Sequence, residues 1–302
     1  MKLIALTLFF PLTLFAQEDR LVLLGASYGK NILAICEADG TVIWKHKTGG
    51  PKAGNNHTGH HDVQFLTNGN ILFHDSWSVT SEITLQKEIV WKHDSKGANV
   101  HAFERLGKGD TMIAESGLGR IVHLDQEGKI QKEIPLPKNG RHQTRMVEIL
   151  PNGHYLACAE NPGVVTEYDP AGKIVWEYPT NTRVFGAIRL KNGNTLIASG
   201  SGHSILEVTP AKTVVWEMKK KIASTEIKLA WTTDLQELPN GHLVIGNCHA
   251  GPDQPQIVEL DQNRKVVWTF DDYDLVGNGL ASWQILDAGQ SAQVRALLAK
   301  EK

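Results

Sequence analysis

The stretch VQFLTNGNILF at residues 63–73 is an apolar strand, a short Asn-Gly turn and a second apolar strand, and related copies follow it along the chain. Asn-Gly between alternating apolar residues is a strong hairpin signal, and a type I′ turn would place both central residues at positive φ. The turn glycines recur at intervals of 40, 44, 40 and 48 residues, a period typical of β-propeller blades. The later copies are FERLGKGDTMIA (103–114), VEILPNGHYLAC (147–158), IRLKNGNTLIAS (188–199) and LQELPNGHLVIG (235–246).

Each hairpin is followed by a third strand and by a fourth, closing strand that is usually centred on tryptophan. The closing strands are ADGTVIWKH (38–46), LQKEIVWKH (85–93), QEGKIQKEI (126–134), PAGKIVWEY (170–178), PAKTVVWEM (210–218) and QNRKVVWTF (262–270). Because one hairpin fewer is present than closing strands, the last blade needs LASWQIL (280–286) as its first strand and LVLLGAS (21–27) and NILAICEADG (31–40) as its second and third. The sequence therefore predicts an all-β, six-bladed propeller of four-stranded antiparallel blades, closed by strands from both termini.

Residues 1–16 have the pattern of a signal peptide. Lys2 precedes an apolar run from Leu3 to Phe15, and Ala16 precedes the polar residues that begin at Gln17. We therefore expect a periplasmic or secreted protein in which residues 17–302 form a single propeller domain. Because this apolar run is too short to span a bilayer, we expect no membrane span. We also expect the protein to be a monomer.

Composition argues against several classes of partner and cofactor. With 31 basic and 33 acidic residues, and no basic run beyond Lys219–Lys221, the chain is not expected to bind nucleic acid. Cys36, Cys158 and Cys248 are widely separated, so we expect small buried side chains, although export leaves one disulfide and one free thiol open. The repeated tryptophans of the closing strands are expected to pack between blades.

The first strand of each propeller blade lines the central channel. When these strands are aligned on Leu66 and its counterparts, the residues five places upstream are His61, His101, Arg145, Phe185, Thr233 and Ala281. Since ring closure places equivalent positions on one circle, the sequence predicts a polar site at the channel mouth. Its candidate catalytic residues are His61, His101 and Arg145, and its candidate ligand-binding residues are His60, Asp62, His142, Trp231, Asp234 and His249. Arg183 and Glu160 fall on the same side of the disc.

Three kinds of chemistry fit these residues. Neutral imidazoles of His61, His101 and His142 would suit Zn²⁺ or another divalent ion such as Ca²⁺. A histidine would alternatively act as nucleophile or general base, with Arg145 stabilising an anion. The same groups would also bind a polar or anionic small molecule without turnover. Trp231 is a candidate stacking platform for a sugar or aromatic ligand.

The segment GHHDVQFLTNGNILFHDS (59–76) resembles the bacterial arylsulfotransferase family, whose propellers carry HHD followed by an NGN turn. The resemblance implies sulfuryl transfer, with His61, His101 and Arg145 as the anion site. The closing strands DGTVIWKHKTGG (39–50) and AGKIVWEYPTN (171–181) resemble the repeats of pyrroloquinoline-quinone (PQQ) proteins. That likeness implies a shared scaffold, and bound PQQ is not expected because no adjacent cysteine pair is present.

The set His61, His101 and His142 is also similar to the histidines by which six-bladed metal-dependent lyases and hydrolases hold an ion on the propeller axis. Two interpretations remain open at this point. The chain is either an exported enzyme acting on a polar or anionic small molecule, or a non-catalytic propeller that binds a carbohydrate or a protein partner.

Overall fold

The computed structural model describes residues 19–49, 60, 62–137 and 143–300. These residues form six four-stranded antiparallel sheets. The first strand of each sheet contacts the neighbouring sheets on both sides, and these contacts run through all six sheets and return to the start. The predicted six-bladed propeller is confirmed.

The strands follow one another along the chain with short connections, and two helices complete the described fold. They are β1 (Leu21–Ala26), β2 (Ile32–Glu37), β3 (Val42–Lys47), β4 (Val63–Phe65), β5 (Ile71–His74), β6 (Val79–Ile83), β7 (Ile89–Asp94), β8 (Val100–Arg105), β9 (Thr111–Glu115), β10 (Arg120–Leu124), β11 (Ile130–Pro135), β12 (Thr144–Ile149), β13 (Tyr155–Ala159), β14 (Val164–Tyr168), β15 (Ile174–Pro179), β16 (Gly186–Arg189), β17 (Thr195–Ser199), β18 (Ser204–Val208), β19 (Val214–Lys219), β20 (Trp231–Glu237), β21 (Leu243–Cys248), β22 (Ile257–Leu260), β23 (Val266–Phe270), α1 (Tyr273–Val276), β24 (Leu280–Ile285) and α2 (Ala288–Ala299).

Blades one to five each use four consecutive strands, starting at β4, β8, β12, β16 and β20, whereas blade six has the order β24-β1-β2-β3. In blade six the first strand pairs antiparallel with β1, and Trp283 lies opposite Leu24. The C-terminal segment therefore supplies the strand nearest the channel, as the repeat count predicted. Strand β1 is thereby paired on both sides, with β24 and with β2, and offers no free edge.

The hairpin turns differ from the sequence-based expectation in one respect. Gly69 has φ 88°, but Asn68 is not among the residues with positive φ, so the turn is not type I′. Gly69 N–H donates to the Leu66 carbonyl at 2.9 Å, and the Asn68 side chain accepts from Asn70 N–H at 3.0 Å. This is a three-residue loop with glycine in the left-handed region, and asparagine is favoured because its side chain caps the turn.

Helix α2 follows β24 and was not predicted from the repeat. Its start carries a capping box in which Asp287 and Gln290 satisfy each other's backbone N–H groups. Its Val294 is buried in a cluster with Leu23 of blade six and Phe65 of blade one. The helix therefore braces the junction at which the ring closes.

One face of the disc carries the turns between strands one and two and between strands three and four, and we call it the turn face. On it, Glu82 of blade one pairs with Arg105 of blade two at 2.7 Å, and this guanidinium lies 4.8 Å from the centre of the Trp91 ring. The same Glu–Arg–Trp cluster recurs between three further pairs of blades. It comprises Glu167, Arg189 and Trp176, then Glu207, Arg264 and Trp216, then Glu259, Arg20 and Trp268.

The closing-strand tryptophans also join neighbouring blades directly. The Trp91 indole N–H donates to the Gln126 carbonyl at 3.1 Å, in the turn between the third and fourth strands of the next blade. Trp44, Trp176 and Trp268 make the equivalent bond to Leu85, Pro210 and Ala38. The expected packing of these tryptophans between blades is confirmed.

All three cysteines are buried and free, as expected for small core side chains. Among the described residues, no helix has the length and apolar character needed to cross a membrane.

Candidate functional site

The channel wall is built by side chains of the first strands that bond to the backbone of the next blade. Gln64 accepts from Arg105 N–H at 2.8 Å, and Gln284 accepts from Phe65 N–H at 2.7 Å. Glu148 and Gln236 make the equivalent contacts to Arg189 and Ile285. Among the described residues no backbone ladder joins the first strands of neighbouring blades, so these side-chain bonds connect them around the axis.

Asp62 and Asp234, two of the predicted ligand-binding residues, belong to this wall. Asp62 accepts from Phe103 N–H of the next blade at 3.0 Å, and Asp234 accepts from Trp283 N–H of the next blade at 3.4 Å. Burial raises the pKa of the Asp234 carboxyl to about 7. Burial, followed by the charge of Asp234, raises the pKa of Asp62 well above its ordinary value. These carboxyls therefore lie inside the channel and retain protons at pH values where exposed carboxyls are ionised.

A pocket of about 340 Å³ lies on the opposite face of the disc, which we call the mouth face. Four of the six aligned first-strand residues line this mouth pocket, from blades three, four, five and six. The full lining is Tyr28, Arg145, Glu160, Arg183, Phe185, Trp231, Thr233, Cys248, His249 and Ala281. Ring closure thus brings residues from both ends of the chain into one concave site of the size that small ligands occupy.

The charged groups of this mouth pocket are two arginines that share one carboxylate. Glu160 is buried, and its carboxylate accepts from Nε of Arg145 and lies 3.3 Å from Nη1 of Arg183. The Arg183 side chain is 52% exposed, whereas that of Arg145 is 14% exposed. Among the lining residues, positive charge exceeds negative charge by one, so the pocket favours an anionic group.

Aromatic rings form the walls beside these arginines. The Arg145 guanidinium lies 5.9 Å from the centre of the Phe185 ring, and that of Arg183 lies 5.9 Å from the Trp231 ring. A Cβ added at Gly200 would lie 2.7 Å from the Trp231 indole, so glycine is needed for the ring to settle there. The walls therefore suit a planar or apolar part of a ligand.

His249, Cys248, Tyr28 and Thr233 supply polar groups to the lining of the mouth pocket. Nδ1 of His249 lies 3.0 Å from the Cys248 sulfur, and the edge-on Tyr28 ring is 5.2 Å from the imidazole. Burial lowers the pKa of His249, so the imidazole is neutral at neutral pH and can accept a proton. The Thr233 hydroxyl is buried without a partner among the described residues.

The remaining histidines of the predicted ring lie differently. His101 is buried, with its Nδ1 3.3 Å from Nη1 of Arg145 and the edge of Trp77 against it. Burial first, then the charge of Arg145, lowers its pKa well below the ordinary value. His60 is fully buried and bonded to the Thr48 hydroxyl at 2.5 Å, and burial lowers its pKa to about 3. Neither histidine lines the mouth pocket.

His61 and His142 lie outside the described residues, so the structure does not test the proposed metal site, of whose ligands only His101 is described. Among the residues that it describes, no three His, Cys, Asp or Glu side chains are placed to hold a metal ion.

Tyr28 and Cys248 contribute to the mouth pocket but were not predicted. One aligned position, at the end of the second strand of each blade, indicated that Cys248 is unusual. The residue at this position is Ser27, Ser76, Ser116, Glu160, Gly200 or Cys248 in the six blades. Serine occupies this position in three blades and is part of the scaffold. The residues that replace it in the other three blades, Glu160, Gly200 and Cys248, all border the pocket.

No protein-family model matches the sequence, and no curated protein matches it. The arylsulfotransferase-like and PQQ-like resemblances therefore rest on their short motifs. Among solved structures, a protein of unknown function from Bacteroides caccae is similar with a TM-score of 0.76 and 22% identity, covering 88% of this chain and 98% of that one.

Two solved lyases are also similar in fold. A streptogramin B lyase has a TM-score of 0.59 and 13% identity over 85% of this chain and 89% of its own. A catalytically inactive virginiamycin B lyase from Staphylococcus aureus with quinupristin has a TM-score of 0.60 and 14% identity, over 89% and 93%. At these identities the likeness shows a shared six-bladed fold and nothing about activity.

Proposed function

We propose that this chain is an exported, monomeric propeller whose mouth pocket binds a small molecule carrying an anionic group and a planar ring, and transforms it by general-base chemistry. The supporting observation is the sharing of the Glu160 carboxylate by Arg145 and Arg183 inside an aromatic-lined cavity. One carboxylate leaves hydrogen-bonding capacity on two guanidiniums, and a second anion would use it.

Each charged or aromatic residue of the mouth pocket has a separate role in this proposal. Arg183 is the more exposed guanidinium, so it would meet the anionic group and orient it, while Phe185 and Trp231 enclose the ring. The neutral imidazole of His249 would take a proton from the substrate. Arg145, held by Glu160 and in contact with His101, would stabilise negative charge that develops in the pocket.

Proton abstraction beside a stabilised anion is the first step of an elimination, and it also fits a hydrolysis in which water is the deprotonated group. Two of the similar propellers are named as lyases, so elimination is the reaction class proposed first. Sulfuryl transfer and metal-dependent hydrolysis, the finer predictions from the sequence, both depend on His61, which lies outside the described residues.

The binding step is tested by calorimetry with matched probes. Benzoate, phenyl phosphate and phenyl sulfate should bind the protein, whereas benzamide and benzyl alcohol should bind at least about 10-fold more weakly, a difference of about 1.4 kcal/mol. The variant Arg183→Gln should remove this preference for anions. Arg120→Gln is the matched control, because Arg120 also pairs with a buried glutamate, Glu115, but does not line the mouth pocket. Equal binding of charged and neutral probes would exclude the proposed anion site.

Turnover is tested separately, by mass-spectrometric screening of aromatic esters, lactones and sulfates with the wild-type protein and with His249→Gln. Loss of turnover in the variant, with benzoate binding unchanged, is the expected result. Probe binding without turnover of any compound would instead favour the non-catalytic interpretation, in which Trp231 stacks against a sugar or another ligand ring.

A further inference from the structure

The three cysteines occupy two kinds of environment. Cys36 and Cys158 lie in the apolar cores of blades six and three, whereas Cys248 lines the mouth pocket. The Cys248 sulfur is 3.0 Å from Nδ1 of His249 and 3.1 Å from the carbonyl oxygen of Asn278. A thiol within hydrogen-bonding distance of an imidazole, in a cavity large enough for a ligand, is the arrangement that a cysteine nucleophile and its base require.

The protonation states of the Cys248 thiol and the His249 imidazole define how the thiol would react. Burial raises the pKa of the Cys248 thiol to about 12, and burial lowers the pKa of His249. The pair therefore rests as a neutral thiol beside a neutral imidazole, not as a thiolate beside an imidazolium. Proton transfer to His249 would then accompany attack, as it does when serine is the nucleophile.

Other groups in the pocket point to a ligand at the same place. Phe185 and Trp231 line the pocket beside Arg145 and Arg183, and their rings would cover the apolar part of a bound molecule. Arg145 and Arg183 supply the attraction for a negative charge on that molecule.

We propose that Cys248, with His249 as its base, is a nucleophilic thiol that accepts an acyl group from an ester or thioester carrying an anionic group. The inference rests on the anion binding of the proposed function, because it uses the same pocket, and it adds acyl transfer as a reaction in which His249 deprotonates Cys248 instead of the substrate.

In the reaction step, the Cys248 sulfur forms a bond to the acyl carbon and its proton passes to Nδ1 of His249. The electron pair of the carbonyl π bond moves to oxygen. Collapse of this intermediate breaks the bond to the leaving group, which takes the proton from the imidazolium. Water then hydrolyses the thioester and restores the thiol, so that no oxidant or reductant is needed.

Alkylation of the intact protein tests the thiol and the charge preference together. Iodoacetamide and iodoacetate label the protein in separate reactions, and peptide mapping gives the rate at each cysteine. Cys248 should react at least about 10-fold faster than the internal controls Cys36 and Cys158, because only Cys248 is reached from the pocket. The ratio of iodoacetate to iodoacetamide rates at Cys248 should exceed the ratio in the urea-unfolded chain, and Arg183→Gln should abolish that excess.

The role of the base is read from His249→Gln, which should slow labelling of Cys248 about 10-fold or more. In the acyl arm, mono-4-nitrophenyl succinate should release one equivalent of nitrophenolate in a burst and add one succinyl group to the Cys248 peptide. 4-Nitrophenyl acetate, which lacks the carboxylate, should react more slowly, and Cys248→Ala should give no burst.

The proposal is overturned if Cys248 reacts no faster than Cys36 and Cys158, if His249→Gln leaves the rate unchanged, or if the burst persists in Cys248→Ala. Benzoate binding measured on the same samples separates the two proposals. Intact binding with an unreactive Cys248 removes only the thiol, whereas a reactive Cys248 without anion preference or benzoate binding removes the anion site.

Discussion

The turn face and the mouth face of this propeller both contain buried glutamates paired with arginine, but these pairs have different roles on the two faces. Glu82 on the turn face and Glu160 on the mouth face are both buried carboxylates that pair with arginine. The Glu82 cluster recurs between other blades, and its carboxylate is fully engaged within the scaffold, since Asn68 and Asn70 also donate to it. The Glu160 cluster occurs once among the described residues and borders a cavity. In a repeat protein, therefore, recurring clusters build the scaffold and unique ones mark the site.

Removal of the carboxylate on each face should destabilise the protein to different extents and gives the largest expected effect. Glu82→Ala leaves the partly buried Arg105 and two asparagine amides without their acceptor, and we expect a loss of about 3 kcal/mol in the free energy of unfolding. Glu160→Ala should cost about 1 kcal/mol, because the two guanidiniums that lose their acceptor, Arg145 and Arg183, line a cavity that admits water.

The same pair should differ in ligand binding. Glu160→Ala frees both guanidiniums and should tighten benzoate binding, while Glu82→Ala should leave it unchanged. Urea unfolding and calorimetry measure the two properties. If Glu160→Ala proved the more destabilising variant, the distinction between the scaffold cluster and the site cluster would be lost.

The channel between the two faces should contribute a pH-dependent term of intermediate size. The pKa of Asp234 is raised from 3.8 to about 7, so the folded protein keeps a proton that the unfolded chain releases. The stability associated with this group is therefore full below about pH 4, falls as pH rises to about 7, and then stays low. Asp234→Asn should remove this loss and exceed the wild type by about 2 kcal/mol at pH 8, after allowance for water in the channel.

Near pH 4 the Asp234→Asn variant and the wild type should be equally stable, because both carry a neutral side chain there. Thermal unfolding across pH 4–8 measures the difference. A stability advantage that did not grow between these limits would show that Asp234 is ionised throughout and that the channel is well hydrated.

The smallest effect compares two glycines, one on each face. At Gly200 an added Cβ would meet the Trp231 indole at 2.7 Å, whereas at Gly107 it would meet no atom within 4 Å, and neither backbone has positive φ. Gly200→Ala should displace the indole, cost about 1 kcal/mol and weaken phenyl phosphate binding several-fold. Gly107→Ala should leave stability and binding close to the wild type. Equal binding by the two variants would show that Trp231 does not contact the ligand.

Much of this structure could be read from the sequence because the repeat imposes it. The five glycine turns, the order of strands in blade six and the inter-blade tryptophans follow from periodicity. The alignment five places before Leu66 and its counterparts also placed Arg145, Phe185, Thr233 and Ala281 on one rim, where the structure has them around one pocket. Helix α2 lay outside the repeat, although the capping residues Asp287 and Gln290 were visible.

What the sequence did not reveal is which rim residues face the cavity. Side chains at equivalent backbone positions differ in length, and contacts with neighbouring residues determine the orientation of each side chain. His101 is covered by Arg145 and Trp77, and His60 turns inward to Thr48, so two candidate histidines leave the pocket surface. The sequence predicts that Cys248 is an ordinary core cysteine, whereas in the structure its sulfur contacts Asn278, which lies near blade six. Such contacts join residues that only the closed ring brings together.

The two-ended construction of blade six makes the mouth pocket depend on closure of the ring. Tyr28 follows β1 and Ala281 lies in β24, and both residues line the pocket because β24 pairs with β1. Detachment of β24 would leave the first five blades in place and remove one wall of the pocket. Ligand binding would therefore stabilise the pairing of the two terminal segments, and weakening that pairing would lower ligand affinity.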